Sequence, residues 1–224
     1  IQNPQPNLEF AINTNACPPK ETQWKDFVDK IKILEDNNCI KRFVLFVSAE
    51  GKGAQQEYNR YGMDWTMFTD NVKYYLKQTT GRCVFMSAFN VLSIPTFLPF
   101  LKYVARLKGG YENEIVVDIP YVRSPGFLDA KIASDELIKE YLHPCIPYME
   151  EKNFNNREKA QMKRIVKDLD LRHANSDNWK QEAIEGRRMF YEWIQQYDKR
   201  RDLNFLEVFP QMEDFYEECK KCMI

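Results

Sequence analysis

An α/β fold built on a parallel sheet is the architecture this sequence predicts, and two observations predict it. Short apolar runs rich in β-branched and aromatic residues recur, and each is followed by a segment of helical periodicity. The clearest run, Phe43-Val44-Leu45-Phe46-Val47, is apolar on both faces, as a strand buried in a parallel sheet requires.

The first strand is expected over Leu8-Glu9-Phe10-Ala11-Ile12-Asn13, with a helix from about Thr22 to Glu35. In that helix Trp24, Phe27, Val28, Ile31 and Leu34 share one face at the 3.6-residue period. The Phe43 to Val47 run is the second strand, followed by a helix from about Trp65 to Lys77 with a stripe of Phe68, Val72 and Leu76. Arg82 to Phe89 is the third, with a helix from about Thr96 to Leu107. Ile115 to Ile119 is the fourth, stopped by Pro120, which lacks the N–H a strand would use. Right-handed crossovers then bring the carboxyl ends of all four to one rim. That rim is expected to carry Asn13, Thr14, Asn15, Ser48, Glu50, Asn90, Asp118 and Arg123. Beyond Pro125 only helical patterns follow, at about Ser134–Leu142, Asn156–Leu169, Asn178–Tyr197 and Gln211–Cys222. A soft boundary near 125–133 divides the chain into residues 1–128 and a helical extension, 129–224.

A chain of 224 residues with a net charge of −1 has length for a sizeable core and no bulk charge for nucleic acid or membrane surfaces. No apolar stretch reaches the roughly 18–20 residues of a membrane span. The chain opens with Ile1 and shows no basic-then-apolar leader, so the six scattered cysteines read as reduced thiols and the expected location is cytoplasmic.

Polar and glycine residues crowd the loop after the second strand. Ser48-Ala49-Glu50-Gly51-Lys52-Gly53 is answered by Asn59-Arg60-Tyr61-Gly62, and three of the eight glycines fall between Gly51 and Gly62. In α/β proteins such a loop lies where ligands bind.

The succession Ile12-Asn13-Thr14-Asn15, Phe46-Val47-Ser48-Ala49-Glu50-Gly51, Tyr58-Asn59-Arg60-Tyr61-Gly62 and Phe89-Asn90 resembles the later half of a radical SAM enzyme core, with a twitch-type C-terminal region. Asp118-Ile119-Pro120-Tyr121-Val122-Arg123 and the tail from Tyr197 through Phe205-Leu206-Glu207-Val208-Phe209-Pro210 are similar to the same group, so the likeness covers nearly the whole chain. The family's C-x3-C-x2-C loop and "GGE"-like motif are missing: Cys17 precedes Pro18 and Pro19, and the next cysteine is Cys39. The resemblance therefore implies a partial TIM-type (β/α) barrel that begins at the fourth of six strands, with the N-terminal barrel half as its missing partner. It implies S-adenosyl-L-methionine and a 4Fe-4S cluster whose ligands lie outside this chain, which alone would be inactive. The whole enzyme would generate a 5′-deoxyadenosyl radical for hydrogen abstraction from a peptide, nucleotide or small molecule.

By the same resemblance the cofactor-binding residues are Asn15, Ser48, Glu50, Arg60 and Asn90. Each has a plainer reading: a strand-to-helix cap for Ser48, a solvated loop acid for Glu50, a surface ion pair for Arg60, and turn-capping amides for Asn15 and Asn90. Gly51 and Gly53 either let backbone amides approach a ligand or serve turn geometry. Asp118 and Arg123 either face substrate or pair with each other. Cys219-Lys220-Lys221-Cys222 offers two thiolates, half a metal site, but reads better as a helix end, and no metal ligand or catalytic residue is assigned. His143 and His173 lack ligand spacing.

Two other functions compete. A non-catalytic α/β binding or scaffold protein fits the absent cysteine loop. A TIM-barrel hydrolase would need paired rim carboxylates, for which Glu50 and Asp118 are the candidates. A half-barrel leaves open sheet edges, so poor solubility or dimerisation is expected of the isolated chain.

Overall fold

A computed structural model of the chain describes residues 3–174 and 178–223; the terminal Ile1 and Ile224 of the sequence reading lie outside the described residues. The elements run β1 (Gln5–Thr14), α1 (Glu21–Asp36), β2 (Ile40–Ser48), α2 (Ala54–Asn59), α3 (Trp65–Gln78), β3 (Arg82–Met86), α4 (Phe97–Gly110) and β4 (Ile115–Asp118). Then come α5 (Asp135–Leu137), α6 (Cys145–Glu151), α7 (Asn156–Asp170), α8 (Trp179–Arg201), α9 (Phe205–Val208) and α10 (Glu213–Lys221). The protein is a mixed α/β structure whose four strands form one parallel sheet in the order β1-β2-β3-β4.

Local chemistry sets the boundaries. Asp64 caps α3 by accepting the Met67 N–H at 2.8 Å. Asn155 and Glu158 form a reciprocal capping box at the start of α7. The helix expected from Thr96 starts one residue later, because Val91–Thr96, with Pro95 inside it, is wound as a tight 3-10 turn. The helix expected over Ser134–Leu142 is one α-helical turn followed by a π-type turn, Ile138–Leu142. The third strand stops at Met86 rather than Phe89, although Phe89 still bridges to Tyr121.

Alternation along the strands sorts their side chains onto two faces. Phe43 and Phe85 lie on the helix-covered face, where Phe43 meets Phe27 of α1 and Tyr75 of α3. Phe85 meets Phe68 of α3 and both Phe100 and Tyr103 of α4. These rings belong to a core that continues through α7, α8 and α10, to Cys219. The opposite face carries Asn13, Phe46 and Ser48, Met86, and Asp118 in register across the strands. Val44, Val84 and Val116 make an apolar strip on it, separate from the main core. Phe46, Ser48 and Met86 are half-buried and Asn13 is exposed, so this is the sheet's open face.

The sheet's two edges differ. On β4, the outward N–H of Val117 donates to Glu158 Oε1 at 2.8 Å and that of Ile119 to Gln161 Oε1 at 3.4 Å, both from α7. On β1, residues 5–11 are exposed throughout, including Leu8 and Phe10. No helix among the described residues is long and apolar enough to cross a membrane.

Candidate functional site

The loop after β2 is built around a buried carboxylate. Glu50, 2% exposed, receives both Nε and Nη2 of Arg60, the Nε contact at 2.7 Å, and Nε2 of Gln56 at 3.2 Å. The Gln56 amide oxygen in turn accepts the Glu50 N–H at 2.9 Å. A carboxylate taken out of water needs such compensation. Burial works against the Arg60 charge, but hydrogen bonding to Glu50 and its charge outweigh this and raise the guanidinium pKa. The two residues expected to contact a cofactor thus contact each other first. Neither the solvated-acid reading of Glu50 nor an exposed surface pair describes them; the pair is an internal brace.

Packing accounts for one glycine of this loop and turn geometry for another. A Cβ on Gly51 would stand 2.4 Å from the Thr96 side chain, whose hydroxyl accepts the Lys52 N–H at 3.0 Å. Gly53 holds φ +61° at the start of α2, a backbone shape that side-chain-bearing residues resist.

The C-terminal tail clasps the same loop. The Tyr58 hydroxyl donates to Asp198 at 2.7 Å, and the Tyr197 hydroxyl donates to the Tyr58 carbonyl at 2.6 Å. Tyr58 also packs against Phe205 and Phe209 of the tail. Burial, then the bond to Asp198, pushes the Tyr58 phenol far above its ordinary range, so it stays a neutral donor. The guanidinium of Arg201 lies over both Tyr61 and Tyr197. The motif Asn59-Arg60-Tyr61-Gly62 is therefore held by the Tyr197–Pro210 segment, more than 130 residues away in sequence.

Asn90 is committed locally: its side chain caps the Val91–Thr96 turn through the Leu92 N–H at 2.9 Å and donates to the Ala88 carbonyl at 3.1 Å. It is buried, and this is the turn-capping role. Asn15 closes a turn by accepting the Cys17 N–H at 3.1 Å, and its amide nitrogen is exposed. Ser48 lies at the carboxyl end of β2 on the open face, in register with Met86, and its hydroxyl has no protein partner among the described residues. Asp118 does not pair with Arg123. It accepts Gln161 Nε2 at 2.6 Å and Arg157 at 3.5 Å, because α7 lies beside β4.

Cys219 is buried on α10 and Cys222 follows its last residue, the helix-end arrangement. Among the described residues no three His, Cys, Asp or Glu side chains come together as metal ligands. His143 pairs with Asp170 and His173 with Asp135. Reasoning from sequence missed Gln56, Asp198, Glu158 and Gln161. All four stand among other polar residues, where nothing sets them apart; only Glu158 carries a local signal, the capping-box spacing from Asn155, and that does not point to Lys108 or β4. No family model, no curated protein and no solved structure matches the chain.

Proposed function

We propose that this chain is the cofactor-clasping later part of a radical S-adenosylmethionine enzyme, its sheet belonging to a partial barrel; a start at the fourth of six strands leaves three, so the four strands present move that start to the third. The observation that carries the reading is Ser48, whose unpartnered hydroxyl stands at a strand's carboxyl end on the one sheet face left open. Ligands of parallel α/β proteins bind at such strand ends.

The residues matched to the family fit the cofactor in part. Ser48 has a free hydroxyl, Asn15 a free amide nitrogen, and Arg60 a guanidinium nitrogen, Nη1, that its bond to Glu50 does not use. Glu50 and Asn90 have spent their capacity on protein partners. On this reading Ser48, Asn15 and Arg60 hold S-adenosylmethionine, while Glu50 orients Arg60. Bound together, the cofactor and a 4Fe-4S cluster supply a 5′-deoxyadenosyl radical for hydrogen abstraction. The cluster ligands and the preceding strands come from outside this chain, the latter against the bare β1 edge.

The test uses protein expressed from the complete reading frame and reconstituted anaerobically with iron and sulfide. Iron–sulfur absorbance and 5′-deoxyadenosine formation under dithionite are expected. Ser48→Ala then weakens S-adenosylmethionine binding about tenfold, the loss of one hydrogen bond, without changing stability. A second reading, a non-catalytic binding or scaffold protein, draws on the exposed β1 edge. Folded protein lacking both signals favours it and sinks the enzyme.

A further inference from the structure

Away from the β2 loop, a cavity of about 310 Å³ lies between the segment after β4 and α7. Its lining includes Tyr121, Arg123, Lys131, Arg164 and Asp168. Three cations face one carboxylate, and none of the three has an ion-pair partner among the described residues. Elsewhere the chain pairs its guanidiniums readily, as at Arg42, Arg157, Arg172, Arg187 and Arg188. The acid nearest Lys131 in sequence is turned to other work. Asp129 Oδ1 accepts both the Tyr121 hydroxyl and the Lys131 N–H at 2.9 Å, which fixes the cavity wall. Arg123 and Lys131 also line an adjoining cavity of about 260 Å³, which reaches Trp179 and Ala183 and carries Asp129 and Glu182, so the positive end of the pair is the first cavity. The buried indole N–H of Trp179 has no acceptor among the described residues.

Unpaired cations gathered round a concave site make an anion receptor. Guanidiniums match phosphate oxygens with two parallel donors, and lysine adds a point charge. The carboxylate of Asp168 repels a bare anion but accepts a hydrogen bond from a hydroxyl. A volume of this size suits a small organic ligand.

We propose that this double cavity binds a phosphomonoester. Arg123, Lys131 and Arg164 hold the phosphate, Asp168 takes a hydroxyl of the ligand, and the Trp179 cavity receives the remainder. The site is independent of the β2 loop, so it stands or falls apart from the cofactor reading.

Calorimetric titration of the full chain with inorganic phosphate, ribose 5-phosphate, uridine monophosphate and uridine tests it. Both phosphomonoesters are expected to bind at least about tenfold more tightly than phosphate or uridine. The tighter of the two tells a sugar phosphate from a nucleotide. Arg164→Gln and Arg123→Gln, both at exposed positions, each weaken that binding about tenfold or more. Lys30→Gln, which removes an equal charge from α1, leaves it unchanged. Phosphomonoesters that bind no better than uridine, or arginine variants that bind as the wild type does, overturn the proposal.

Discussion

At the β4 edge the outward backbone donors are taken by Glu158 and Gln161 of α7, while the β1 edge leaves Leu8, 47% exposed, and Phe10, 41% exposed, in solvent. An unpaired strand edge is a template for further pairing, and proteins usually blunt it. Here one end of the sheet is finished by a helix whose side chains imitate the next strand. The other end has no such helix: Pro6, which lacks an N–H, and a register shift between Gln5 and Glu9 interrupt only its first half, and Glu9 turns back to Lys41 and Arg42 of β2. The contrast teaches that the sheet grows no further past β4, whereas β1 is chemically ready for a neighbour.

Unsealing β4 should cost the fold most. Glu158 is fully buried, and Lys108, 7% exposed, meets both its oxygens at 2.8 Å. The same carboxylate accepts the N–H groups of Val117 and Asn155. Glu158→Ala strands a buried ammonium and an edge N–H, and a loss of about 3–5 kcal/mol is expected in urea denaturation. Lys108→Met with Glu158→Leu should recover most of it, because no buried charge remains. A single-variant loss below about 1 kcal/mol would mean that α7 does not seal the edge.

Glu50, the buried carboxylate near the other end of the sheet, sharpens the same point. Its partner Arg60 is one-third exposed, so water compensates part of what the pair provides. Arg60→Ala is expected to lose about 2–3 kcal/mol, less than Glu158→Ala, by the same denaturation measurement. Equal losses would show that edge sealing adds nothing to ion pairing.

The sequence made the apolar half of this structure plain and left the polar half dark. Phe43 to Val47 and Ile115 to Val117 announce strands because they are apolar on both faces, although Phe46, on the open face, is only half-buried. Trp24, Val28 and Ile31 announce α1 because a helix repeats its buried face. Helix α6 escaped notice because Pro144 and Pro147 flank and interrupt it, and α9 because four residues are too few for a period. The site was legible as a place, the loop after β2, and not as a set of contacts. Glu50 and Arg60 lie ten residues apart, and Asp118 and Gln161 lie 43 apart, separations that no local period marks. Only the folded chain shows that Glu50 braces Arg60 and that Asp118 belongs to α7.

The bare edge is tested by charge rather than by truncation. Leu8→Lys should shift stability by no more than about 0.5 kcal/mol, whereas Phe10→Lys, which also gives up an edge-to-face contact with Phe43 at 5.6 Å, should cost about 1 kcal/mol more. The double variant should lower any self-association seen in sedimentation, because lysine on an edge strand discourages pairing. Hydrogen exchange of β1 amides should be faster than that of β4 amides in the wild type. Slow exchange along β1 with no self-association would contradict an open edge.

The smallest expected effect is read from thiols. Burial pushes Cys83, on the helix-covered face of β3, and Cys145, at the start of α6, each up to about 12. Cys17, just beyond β1, is half-buried, and burial raises its thiol as well. Near pH 8 an aromatic disulfide reagent should label Cys17 in the native protein while Cys83 and Cys145 react only on unfolding, since the thiolate is the nucleophile. The pH sign follows from the same burial. An unfolded thiol loses its proton near pH 8.5, whereas the folded ones keep theirs to about 12. Their contribution is therefore full below about pH 8.5 and fades as pH rises toward 12. Wild-type protein should lose more stability between about pH 8 and pH 10 than Cys83→Ala does. Rapid native labelling of Cys83 would place it in an opening sheet, and the covered face and sealed edge would both have to be reconsidered.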